Sequence, residues 1–162
     1  MTYNKLELLM KAQEYCNSRN TRVTQEMGHG TQGVIFRTAH NTAIKAHSRE
    51  AAFCREVEIY QQLKARNIAQ IQGMTIPRLV DESAELLVFE MSIVHVPCIL
   101  DFGGAYLEPP KHMENRRGEE WSMLMREEFG DDWPKAQSVI RELEFRAEIY
   151  LVDINSGNIK FR

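Results

Sequence analysis

What the 162-residue chain lacks narrows its class before any motif is read. No apolar run approaches the roughly 18 residues that a membrane helix needs. The opening stretch, with Asn4, Lys5 and Glu7 around a short apolar run, is followed by no small-residue cleavage site. Membrane insertion and export by a standard signal are therefore not expected. Cysteine is scarce: Cys16, Cys54 and Cys98 are an odd number without a CxxC pair. Such usage speaks against a disulfide framework or a zinc site and for reduced thiols, so the cytoplasm is the expected location. Positive charge is not in excess either. Twenty Lys and Arg against 23 Asp and Glu leave a formal charge of -3, and the pI is near 6.0. Nucleic acid and anionic membrane are thus poor partners, while local phosphate binding stays open. Among the sparse residues, His29, His40, His47, His95 and His112 show no metal-ligand spacing.

What is present suits one globular chain with a respectable core, since 43% of residues are hydrophobic and 27% charged. It reads in three parts. Residues 1–19 hold an amphipathic helix in which Leu9, Ala12 and Cys16 recur at helical spacing, flanked by Leu8 and Tyr15. Residues 20–92 change pattern: "GVIFRT" and "NTAIKA" read as strands joined by a tight turn, "REAAFCREVEIYQQLKAR" as a helix, and "IPRLVD" and "ELLVFEM" as two more strands. Residues 93–162 begin irregularly, with "HVPCILDFGGAY" as an extended candidate and "EPPKHMENRRGEE" as a polar loop. After Asp131, Asp132 and Pro134, the steps Ala136, Ile140, Leu143, Ala147 and Tyr150 describe a helix that leads straight to Leu151, Val152 and Asp153.

Three features carry chemistry. Gly28, Gly30 and Gly33 match GxGxxG, but β-like residues follow them where a dinucleotide fold would place a helix. That order suits a glycine-rich hairpin covering phosphates, since backbone amides approach phosphate oxygens where no Cβ intervenes; an ordinary flexible hairpin is the plain alternative. Lys45 follows in "TAIK" on the second strand, either as a surface charge or as a phosphate-directed cation. On the next helix Glu56 offers it a carboxylate, with Glu58 as competitor. The third feature is "DINSGN", where Asp153 and Asn158 stand five apart after the last helix. Those residues also form turns, so a mere loop is the plain alternative there.

Taken in order, these elements resemble a protein kinase-like fold, with residues 28 to 90 similar to its N-terminal lobe and "LLVFEM" similar to its last lobe strand and hinge. The resemblance implies an α+β protein: an antiparallel sheet with one helix, joined to a truncated, mainly helical C-lobe. It implies ATP with Mg2+, Phe89 at the gatekeeper place, and backbone groups of Glu90 and Ser92 against adenine. It further implies that Lys45, held by Glu56, contacts phosphates, that Asp153 orients an acceptor hydroxyl, and that Asn158 carries metal.

The departures are equally specific. Leu151 and Val152 replace His-Arg, Asn155 replaces a lysine, and Gly157 precedes Asn158 as in small-molecule phosphotransferases and compact bacterial effector kinases. After Asn158 come only "IKFR", so the strand pair and Asp-Phe-Gly expected next are missing from their usual place. An Asp-Phe-Gly does occur at Asp101, Phe102 and Gly103, upstream of Asp153. It is either a coincidence or a substitute metal ligand brought back by folding. Two functions stay open: an ATP-binding minimal kinase-like protein that transfers phosphate to a hydroxyl, or an inactive pseudokinase-like module. A protein partner or a second copy of the chain would complete the short lobe. The acidic cluster Glu127, Glu128, Asp131 and Asp132 reads as a solvated helix boundary, and Arg116 and Arg117 as an exposed loop or a contact for an acidic partner.

Overall fold

A computed structural model describes residues 3–95, 99–113 and 118–161. Cys98, Arg116 and Arg117 lie outside the described residues. In chain order the elements are α1 (Lys5–Asn17), β1 (Val23–His29), β2 (Gly33–Thr38), β3 (Thr42–His47), α2 (Glu50–Ala65), β4 (Gln70–Ile71) and β5 (Met74–Thr75). They continue as β6 (Leu79–Ser83), β7 (Val88–Ser92), β8 (Ile99–Leu100), β9 (Ala105–Tyr106), α3 (Glu119–Phe129), α4 (Trp133–Glu142), β10 (Tyr150–Leu151) and β11 (Ile159–Lys160). The chain forms two compact units, one of Met1–Gln61 with Pro77–Ile93 and one of Gln62–Ile76 with Val94–Arg162. No helix among the described residues is long and apolar enough to cross a membrane.

The fold class is α+β. In the first unit a five-stranded antiparallel sheet runs β1-β2-β3-β7-β6. Its central strands are almost continuously buried, which happens when helices cover both faces of a sheet. Side chains of a strand alternate between faces, and the contacts follow that rule. Ile44, Ala46 and Val88 pack with Leu8, Ala12, Tyr15 and Cys16 of α1. The intervening residues Lys45, His47 and Phe89 meet Glu56, Phe53 and Tyr60 of α2. Asn4 caps α1 by accepting the amide of Leu6 at 3.1 Å.

Strand β1 is a finding beyond the sequence reading. Its residues "VTQEMGH" are mostly exposed because it lies at the sheet edge, so no buried face imposes an alternating pattern. The turn between β2 and β3 places Asn41 at φ 62°, a left-handed position that asparagine tolerates better than most residues.

In the second unit α4 continues into a π-helical turn, Leu143–Ala147, and stops at Glu148, whose φ is 53°. The helical run expected to reach Tyr150 therefore ends earlier, and Tyr150 instead begins β10. The stop is built from side chains of an upstream segment. Gln62 Nε2 donates to the carbonyl of Ala147 at 3.0 Å and Arg66 Nη1 to that of Arg146 at 3.1 Å, which satisfies acceptors that a helix end leaves open. Helix α3 follows the irregular stretch and is not marked in the sequence, because its exposed Met123 and Leu124 blur the helical pattern. Asp132 makes no side-chain cap of α4, and its carboxylate pairs with Lys135 at 3.0 Å.

The inner edge of α1 is held by a buried carboxylate. Tyr15 donates its hydroxyl to Glu90 Oε2 at 3.1 Å, and Thr42 Oγ1 donates to Glu90 Oε1. Burial, with the Glu90 charge beside it, pushes the Tyr15 phenol well above its usual range, so it stays a donor. Replacing Tyr15 by Phe should lower stability by about 2 kcal/mol, measured by urea unfolding; unchanged stability would mean that Thr42 alone satisfies Glu90.

Candidate functional site

Lys45 and His47 stand two apart on β3 and so point to the same face. Both meet one carboxylate on α2. Lys45 Nζ lies 2.7 Å from Glu56 Oε1, and His47 Nε2 lies 2.9 Å from Glu56 Oε2. All three are buried, at 7%, 0% and 2% exposure for Lys45, His47 and Glu56. An ionised carboxylate only accepts, so His47 Nε2 carries the proton toward Glu56. Its other ring nitrogen, Nδ1, is buried and has no hydrogen-bond partner among the described residues. Burial pushes the Glu56 carboxyl up, but the Lys45 charge and the His47 hydrogen bond outweigh it and hold it below the usual value. Phe89 seats the cluster, with its ring centroid 5.5 Å from that of His47 and 5.2 Å from that of Tyr60.

The glycines divide by role. A Cβ on Gly33 would lie 2.2 Å from the carbonyl oxygen of Ala46, so close pairing of β2 with β3 requires glycine there. Cβ atoms on Gly28 or Gly30 would meet nothing within 4 Å. The Gly30 amide donates to the Gly33 carbonyl at 3.0 Å, and Tyr3 ties both carbonyls down with its hydroxyl, at 2.8 Å to Gly30 and 3.1 Å to Gly33. Ser48 pins the same loop by hydrogen bonds of its amide and hydroxyl to the Gln32 carbonyl.

Glu90 and Ser92 lie within β7, between β3 and β6. Glu90 is in register with Ile44 and Asp81, and Ser92 with Thr42. The Ser92 amide donates to the Arg78 carbonyl at 2.9 Å, and its hydroxyl accepts the Arg78 amide at 2.9 Å.

In the second unit the loop from Asp153 to Asn158 is folded on its own side chains. Asp153 accepts from Asn155 Nδ2 at 2.9 Å and from Asn158 Nδ2 at 3.0 Å. Asn155 thus supplies a neutral donor where the resemblance expects a lysine. Its Oδ1 accepts the amides of Gly157 and Asn158. Glu128, read as a solvated boundary residue, anchors this loop: it accepts from Ser156 Oγ at 2.6 Å and from the Ser156 amide at 2.8 Å. Those two bonds hold its carboxyl below the usual value.

The upstream Asp-Phe-Gly folds against this loop. Strand β11, directly after Asn158, pairs with β8, directly before Asp101, while β10, just before Asp153, pairs with β9. The Asp101 amide donates to the Asn158 carbonyl at 2.9 Å, and the Val152 amide to the Gly104 carbonyl at 2.8 Å. Gly104 is compelled by this approach, because a Cβ there would sit 2.8 Å from that of Asp153. Both strands that flank the loop thus pair with a segment some fifty residues earlier in the chain, as the numbering of Asp101 and Asp153 shows. Phe102 is fully buried, and Asp101 Oδ1 accepts the Gly103 amide at 2.8 Å.

No family model and no curated protein matches the chain. Among solved structures it is similar to APH(2")-IIa in a ternary complex with streptomycin and ATP, with 15% identity and a TM-score of 0.46. The alignment covers 97% of this chain and 43% of that one, so the chain spans less than half of its length.

Sequence reasoning missed His47, which was grouped with histidines lacking ligand spacing, and Glu128. The signal for His47 was its two-residue offset from Lys45 on a strand; none marked Glu128. No group of three or more His, Cys, Asp or Glu suited to a metal occurs among the described residues. Asp101 and Asn158 supply oxygen donors of the kind Mg2+ takes when substrate phosphates complete its shell.

Two expectations follow from the geometry. A carboxyl depressed in the folded state contributes stability above its unfolded value of about 4.5, and that contribution is lost as pH falls through the folded value. Urea unfolding at stepped pH should show this acid limb in the native chain and a flatter one in Glu56→Gln. That variant should also lose roughly 3 kcal/mol or more at neutral pH, because Lys45 is left buried without its counter-charge. Gly33→Ala should destabilise by more than about 2 kcal/mol, whereas Gly30→Ala should stay within about 0.5 kcal/mol; equal melting temperatures for the two would contradict the distinction.

Proposed function

We propose that the chain is a minimal kinase-like protein that binds ATP with Mg2+ and transfers its terminal phosphoryl group to a hydroxyl acceptor. The observation that carries this reading is the buried Lys45–Glu56 pair at 2.7 Å. Burying two charges is costly unless they are well paired, and the usual return for structure alone is small. A lysine fixed by a carboxylate on the strand after a glycine hairpin has a function that matches the arrangement, namely neutralising nucleotide phosphates.

In this reading the Gly28–Gly33 hairpin covers the phosphates, Lys45 steadied by Glu56 meets them, and Asn158 with Asp101 holds the metal. Bound Mg2+ would supply charge neutralisation across the phosphate oxygens. Asp153 orients the acceptor hydroxyl and takes its proton as the new oxygen–phosphorus bond forms and the bridge to the β-phosphate breaks. Asn155 and Asn158 fix the Asp153 carboxylate by hydrogen bonds, which is positioning of the kind this chemistry relies on. Adenine contacts from the backbones of Glu90 and Ser92 belong to the same proposal and need those strand groups to exchange partners. The unpaired Cys16 and Cys54 accord with a reducing, cytoplasmic setting.

Calorimetric titration of ATP with Mg2+ should show binding to the intact chain that is lost in Lys45→Ala, with circular dichroism confirming that the variant is folded. Asp153→Asn should keep nucleotide affinity and abolish phosphoryl transfer, and equal turnover in that variant would remove the assigned role. ATP binding without transfer by the native chain would leave the inactive, regulatory module as the better description. No binding to folded native protein would overturn the nucleotide reading.

A further inference from the structure

The second unit contains a cavity of about 710 Å³ between α3, α4 and the segment around Pro109, Pro110 and Lys111. That volume falls within the range of small-molecule sites. Its wall is aromatic: Trp121 and Trp133 meet edge to face with centroids 5.5 Å apart, and Tyr150 joins them in the lining. These are the chain's two tryptophans. The site is open to solvent: Trp121 and Tyr150 are half-buried at its wall, and Trp133 lies behind them, 5% exposed and packed against Phe129 at 5.9 Å.

The cavity lining carries two cations and one carboxylate. Lys111 and Arg141 line it, are exposed, and have no ion-pair or hydrogen-bond partner among the described residues. The lining carboxylate, Glu144, already engages another group. A cationic ligand held by the rings would face two exposed cations, whereas an anionic one would be attracted by both, modestly because water screens them. Gln137 adds a neutral amide to the same wall.

We propose that this cavity binds a small organic anion with a planar apolar ring system, its rings lying against Trp121 and Tyr150, in front of the buried Trp133, and its anionic group meeting Lys111 and Arg141. The proposal does not depend on the nucleotide reading, because every residue it uses belongs to the second unit and none is assigned to ATP.

The test uses the intact chain, labelled with nitrogen-15 and free of nucleotide, titrated with 2-naphthalenesulfonate while the two indole N–H resonances are followed. Both resonances should shift saturably, with amides of the five-stranded sheet unmoved. Lys111→Gln and Arg141→Gln, exposed changes that leave the fold intact, should each weaken binding about threefold. The neutral 2-naphthalenemethanol should bind more weakly than the sulfonate, and a naphthylmethyl trimethylammonium ion more weakly still. Absence of saturable indole shifts at millimolar sulfonate would overturn the site. Equal or tighter binding of the cation, or unchanged affinity in both variants, would overturn the ligand class. Since ATP is absent throughout, none of these outcomes bears on the nucleotide proposal.

Discussion

A carboxylate buried between a sheet and a helix must be answered by donors or it destabilises the fold by several kcal/mol. Glu56 is answered twice, by Lys45 and by His47. Because those residues are alternate members of one strand, a single rotation of α2 satisfies both carboxylate oxygens. That rotation also buries Phe53, Val57 and Tyr60, with Phe53 against His47 and Tyr60 against Phe89. The polar pair and the aromatic packing thus specify the same helix orientation, and neither could shift without breaking the other.

The opposite face of the sheet repeats the device with another carboxylate. Glu90, next to Phe89 on β7, points the other way and holds Tyr15 and Thr42. Arg19 then lies over the Tyr15 ring at 3.7 Å and pairs with Asp81 on the edge strand β6 at 2.6 Å. Helix α1 is therefore part of the sheet's own unit. Adjacent residues of β7 serve opposite faces, which is why a run as apolar as "LLVFEM" contains a glutamate that is 7% exposed and fully used.

In the second unit, non-local strand pairing builds the loop. Two short ladders bracket the Asp153 loop, and both draw their partner strand from the region of Asp101. Glycine at position 104 lets the two segments touch, and Glu128 fastens Ser156 from the end of α3. Each ladder has only two residues per strand, so the arrangement rests as much on Leu100, Phe102, Leu151 and Ile159 being buried as on its hydrogen bonds.

Much of this was legible without coordinates. Strands β2, β3 and β7 and helix α2 follow from β-branched runs, a tight turn and helical spacing, because burial on both faces imposes strong local patterns. Lys45 with Glu56, and Asp153 with Asn158, could be nominated only through the resemblance to a kinase-like fold, which assigns roles to their order and spacing. Strand β1 was hidden because an edge strand needs no apolar alternation, and α3 because its exposed apolar residues weaken its pattern. The sequence also suffices for what composition and periodicity govern: the α+β class, the lack of a membrane-length apolar run, and which residues share a strand face. Tertiary structure alone decided that His47 joins Glu56, that Glu128 holds Ser156, and that the Asp-Phe-Gly at Asp101 lies beside Asn158. Each of those contacts joins residues whose separation along the chain carries no periodic signal, so only the closing of the fold could bring them together.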